Sequence, residues 1–130
     1  MTFEALRLLT IAAVLALLAL MLHLGQPGEL DWWVASSPFM LWVVGPVVAP
    51  YFLTRFFARS AGFGAVMLAF LMLSAAVAAA GYIDAFFPAT SSTSALILIF
   101  LPLCQWSALG MTLLLTWTAI LWTRRRKRTR

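Results

Sequence analysis

Four long apolar runs divide this sequence, and its polar and charged residues fall almost entirely in the short stretches between them and at its end. The last run is the most telling. Ala95 to Trp122 carries no charge over 28 residues, about 42 Å as a helix against the roughly 30 Å of a bilayer's hydrocarbon. It then stops abruptly in Thr-Arg-Arg-Arg-Lys-Arg-Thr-Arg.

The three earlier runs have their own boundaries. The first, about 5–24, is rich in Leu, Ala and Val. Glu4 offsets Arg7 and no small-residue cleavage pattern follows, so it reads as a span and not a leader. Gln26-Pro27-Gly28 breaks it, and Glu29, Asp31, Trp32 and Trp33 are residues suited to a membrane surface. Ser36-Ser37-Pro38 resembles an N-cap with proline at the first helical position, which predicts a second span over 38–57. The third runs over 62–82, and Ser92-Thr93-Ser94 caps a fourth over 95–122. The pattern predicts an all-α integral membrane protein, a compact bundle of four transmembrane helices in two hairpins over 1–123. A basic tail, 124–130, follows it.

Composition agrees. Of 130 residues, 64% are hydrophobic and 10% charged, where a soluble domain is about half apolar and a quarter charged. The net charge of +5 does not point to nucleic acid, because six of nine basic residues lie at 124–130. Charge placement also orients the chain. With four spans, Arg7, Arg55, Arg59 and the whole tail fall on one side, which the positive-inside rule makes cytoplasmic, while Glu29, Asp31 and Asp84 fall opposite. Both termini are therefore expected inside a plasma membrane, most simply a bacterial inner membrane.

Helices in lipid associate through small residues and polar groups that need partners. In the third span Gly62, Ala65, Ala69, Ala76 and Ala80 form one small stripe and Ser74, Ala78 and Gly81 a second, which predicts a helix gripped on two sides. In the fourth, Gln105, Ala108, Thr112, Thr116 and Ala119 form a face expected to point inward. The first span is expected to be the most exposed. Pro46, Pro50 and Pro102 each remove a backbone donor and bend their helix. From the predicted starts, Pro46 and Pro102 lie at similar depth. A faint echo also links Asp31-Trp-Trp…Pro46 to Asp84-Ala-Phe-Phe…Pro102.

The best candidate site is a kink cluster, Pro46, Pro50, Tyr51, Pro102 and Gln105, in which Tyr51 and Gln105 line a small polar pocket between spans two and four. A purely structural role for these two is favoured, since neither ionises near neutral pH. His23 is the only histidine and Cys104 the only cysteine, which leaves no metal or cofactor set and no catalytic constellation. Asp31 and Asp84 read as solvated loop charges. Arg124, Arg125, Arg126, Lys127, Arg128 and Arg130 lock topology and are candidates to contact anionic lipid. The segment Phe100-Leu-Pro-Leu-Cys-Gln-Trp106 looks like stretches in small bacterial membrane proteins of unknown role, and it carries no function. The expectation is a non-catalytic accessory, assembly or stabilising component of a membrane complex that associates with other subunits or with itself. A homo-oligomeric small-solute or ion transporter or channel is the alternative, and a holin-like lesion protein the third reading.

Overall fold

The structure is a computed structural model that describes residues 2–57, 61–86 and 94–128, with Thr123 to Arg128 described by backbone alone. The expectations on Arg59, Ser92, Thr93 and Arg130, and on the side chains of Arg124 to Arg128, lie outside the described residues. All the regular structure described is helical: α1 Thr2–Leu24, α2 Leu30–Phe57, α3 Ala61–Phe86 and α4 Ser94–Arg128. Each contains a stretch long and apolar enough to cross a membrane.

Leu, Ala and Met favour helix throughout, so the breaks are set by a few residues. Between α1 and α2 the break is Gly25 to Glu29, where the Glu29 N–H bonds the Gln26 carbonyl at 3.1 Å. Trp33 Nε1 donates to the Pro27 carbonyl at 3.0 Å and ties the turn to the new helix. The second helix therefore starts eight residues before the predicted Pro38. Asp31 in its first turn suits the helix dipole, and Pro38 lies inside the helix. Its missing N–H frees the Val34 carbonyl, but Val34 is well exposed, so the kink leaves no buried acceptor there. α3 likewise runs past Tyr82 to Phe86 and takes in Asp84. Asp31 thus opens one helix while Asp84 closes another, and the echo between the two halves has no structural counterpart.

α2 and α3 pack against each other, α1 lies against both on one side, and α4 lies against both on the other. Among the described residues α1 and α4 do not meet. The interior is built from one stripe per helix at spacings of three and four: Leu6, Thr10, Leu17 and Met21; Val43, Pro46, Val47, Pro50 and Thr54; Met67, Leu71, Ser74, Ala78 and Tyr82; Pro102, Gln105 and Leu109.

These stripes correct three expectations. Gly62, Ala65, Ala69, Ala76 and Ala80 are exposed, and α3 buries the face that carries Met67, Leu71 and Tyr82 instead. The second small stripe does face inward, with Ser74 and Ala78 buried and Gly81 half-buried against Leu101 and Ile97. On α4, Gln105 is buried and Thr112 and Thr116 half-buried, but Ala108 and Ala119 are exposed. α1 is no outlier, since α4 has equally few buried positions and lacks one neighbour.

Three contacts set the register of α4. The Cα hydrogen of Gly45 faces the ring of Trp106, Gly81 faces Leu101 and Ile97, and Gln105 reaches Ser74. With Gly45 level with Trp106, Pro102 is level with Leu41. Pro46 therefore lies about 8 Å further along α2, at 1.5 Å per residue, and the two kinks are staggered. By the same count Phe57, where α2 ends, is level with Thr118. The remaining turns to Arg128 project about 15 Å past α2.

A methyl group at Gly45 would stand 2.6 Å from Trp106 Cζ2, whereas one at Gly110 would meet nothing within 4 Å. Gly45→Ala should therefore lower stability, overpacking costing about 1–3 kcal/mol against a helix-propensity gain of about 1 kcal/mol. Gly110→Ala should raise it by up to about 1 kcal/mol. Reversible unfolding in mixed detergent micelles measures both, and the signs should be opposite.

Candidate functional site

The three prolines of the predicted cluster are all fully buried, so each kink packs its ring into a helix contact. Pro46 and Pro50 belong to the inward stripe of α2 and Pro102 to that of α4. Thr54 Oγ1 donates to the Pro50 carbonyl at 2.8 Å, within the same helix.

Gln105 is 7% exposed, and its Nε2 donates to the main-chain carbonyl of Ser74 on α3 at 3.3 Å. A carbonyl oxygen has two lone pairs, so it can take this bond beside its helical one. This is a cross-helix bond in the middle of the bundle. The Ser74 hydroxyl is buried beside it with no partner, as are the hydroxyls of Thr10 and Tyr82.

Tyr51 does not join this group. Its ring stacks on Phe3 of α1 at 5.4 Å and 30°, and its hydroxyl accepts a bond from Arg55 Nη1 at 3.2 Å. The register puts it seven residues, about 10 Å, from the level of Gln105. The space between α2 and α4 is apolar and includes neither residue. The structure therefore buries Pro46, Pro50, Pro102 and Gln105 each in its own helix contact at staggered levels, and sets Tyr51 apart against Phe3 of α1.

The hydroxyls of α4 look to their own helix. Ser107 donates to Leu103, Thr112 to Ala108 and Thr116 to Thr112, at 2.7 to 2.9 Å. Such bonds to the preceding turn satisfy the hydroxyl without a neighbouring helix. At the other end, His23 and Asp31 are exposed near the α1–α2 turn, and Asp84 is exposed near the end of α3. Among the described residues no three of His, Cys, Asp and Glu come together as metal ligands. Cys104 is exposed. Glu4 and Arg7 form an exposed ion pair at 3.3 Å within α1, of a kind that contributes little to stability.

Sequence reasoning missed Ser74 as the acceptor for Gln105, and missed the Gly45–Trp106 contact. A glycine in mid-helix is a costly choice and was the available signal for a close approach; the partner was not readable. No family model, curated protein or solved structure matches the chain.

Replacing Gln105 by Leu removes the cross-helix bond but keeps volume, so it should cost about 1 kcal/mol, within the range for interhelical bonds in membranes. Ser74→Ala deletes an unpartnered hydroxyl and should be neutral or slightly stabilising. Unfolding free energies in detergent distinguish these; equal losses would deny Gln105 its bonding role.

Proposed function

We propose that this chain is a polytopic membrane protein with four spans and both ends in the cytoplasm, serving without catalysis as an accessory or stabilising component of a membrane complex. Insertion is supported by four helices of spanning length and by an exterior that exposes many large apolar side chains, among them Leu15, Leu41, Leu73 and Leu114. Orientation is supported by the Phe3–Tyr51 contact. It sets the start of α1 beside the last turns of α2, so Arg7 and Arg55 share the end toward which the basic tail runs.

The observation that carries the accessory reading is the exposed stripe of Gly62, Ala65, Ala69, Ala76 and Ala80. In lipid, small residues gain most where another backbone approaches closely. Among the described residues all five are exposed. A helix of a different subunit laid along α3 would use the stripe, and the bundle itself needs no change to receive it.

The test is purification in mild detergent without crosslinking. A second polypeptide in stoichiometric amount is expected. Ala69→Phe and Ala76→Phe, on the exposed stripe, should leave stability within about 0.5 kcal/mol and reduce the partner's recovery at least five-fold. Recovery of homo-oligomers alone, or a partner unaffected by both substitutions, contradicts the reading.

A further inference from the structure

Beyond the Gly45–Trp106 contact, an open groove of about 360 Å³ lies between α2 and α4. Ala49, Phe52 and Phe56 line it from α2, and Trp106, Leu109 and Gly110 from α4. The rings of Phe52 and Phe56 are parallel within 4° at 5.9 Å. At Gly110 the floor is bare backbone with open space above it. The lining offers almost no polar surface, so a ligand that needs hydrogen bonds has no place there.

Size and charge narrow the occupant. The groove has room for about a dozen groups the size of water, at ~30 Å³ each. A single hydrocarbon chain needs about that much space. The stripe of α4 that faces the groove continues by helical register through positions 113, 117, 120 and 124 to 127 and 128. Trp117 on that stripe is 64% exposed, a ring suited to the headgroup level. Arg124, Lys127 and Arg128 are its foot, in the turns that project past the end of α2. An apolar slot thus leads down one helix face to three basic positions.

We propose that the groove holds one acyl chain of an anionic phospholipid of the cytoplasmic leaflet, with its phosphate at the basic last turns of α4. Attraction of anionic lipid to clustered Lys and Arg beside a span supplies the headgroup preference, and the bare floor at Gly110 lets the chain lie against backbone. This assignment rests on the membrane-spanning reading above.

The experiment uses the full chain in vesicles of equal parts phosphatidylglycerol and phosphatidylcholine, extracted into mild detergent and weighed intact by native mass spectrometry. The unaltered chain should retain one phosphatidylglycerol. Gly110→Leu, which grows into open space, should retain at least five-fold less, and Ala49→Leu should do the same from the opposite wall. Arg124, Lys127 and Arg128 changed together to Gln should keep a lipid but lose at least three-fold of the preference for phosphatidylglycerol. Equal retention by the unaltered chain and both groove-filling variants overturns the proposal, as does retention without headgroup preference. Loss of a bound polypeptide in place of a lipid overturns it too. Carbonate washing of the vesicles separates the two readings: a chain that resists the wash but carries no lipid refutes the groove assignment alone, and a chain that washes off refutes membrane insertion as well.

Discussion

α4 has neighbours on one side only, and the bond from Gln105 to the Ser74 carbonyl, with Trp106 seated on Gly45, holds it in register. Both contacts lie at nearly one level, and among the described residues α1 does not meet α4. The consequences spread from there. With Gly45 opposite Trp106, the two helices are close at that level, and the apolar groove lies just beyond it. The same register carries the end of α4 past the end of α2 and holds its basic turns away from the packed helices. A shift of one turn, about 5.4 Å, would still offer the Gln105 amide a main-chain carbonyl of α3, but it would move the Trp106 ring off Gly45 and onto Ala49 or Leu41, which carry side chains. The glycine contact is therefore what makes the register specific.

Side-chain size is distributed against simple expectation for a bundle in lipid. Where α3 meets three helices it presents Met67, Leu71 and Tyr82, and its alanine stripe is left on the surface. Association inside the bundle therefore relies on interdigitated larger side chains, two close glycine contacts and one amide bond. The surface of α3 that best suits backbone-to-backbone approach lies on the outside of the bundle. It is on a different helix from the two that line the groove.

The count and type of elements were legible from the sequence because each run is long enough to cross a bilayer's hydrocarbon core and few residues interrupt it. Their faces were legible only in part. When every side of a helix is apolar, periodicity loses its usual contrast between inside and outside, and of the two small stripes of α3 only Ser74, Ala78 and Gly81 face the bundle. The start of α2 was misplaced because Ser36-Ser37-Pro38 has the chemistry of a cap. Pro27-Gly28, with Asp31 to follow, has stronger breaking and starting power, and Ser37 instead bonds the Trp33 carbonyl one turn back. That misplacement in turn put Pro46 and Pro102 level, although they are staggered. Gln105 was singled out correctly as a buried polar residue, since an amide amid apolar neighbours needs a partner wherever it lies. Its acceptor is a main-chain carbonyl, which no side-chain pattern reveals, and Tyr51 was grouped with it only because depth along a helix says nothing about which neighbour the residue faces.

Sided cysteine labelling of the chain in intact cells and in inverted vesicles tests the membrane architecture most directly. In a Cys104→Ser background, a single cysteine is placed at Gln26, in the exposed α1–α2 turn, or after Arg130, and each is challenged with a membrane-impermeant maleimide. The account predicts that the turn is labelled in intact cells, that the end after Arg130 is labelled only in inverted vesicles, and that Cys104 in the otherwise unaltered chain reacts in neither until detergent is added. Labelling of the turn and the terminus from the same side, or ready labelling of Cys104 without detergent, would contradict it.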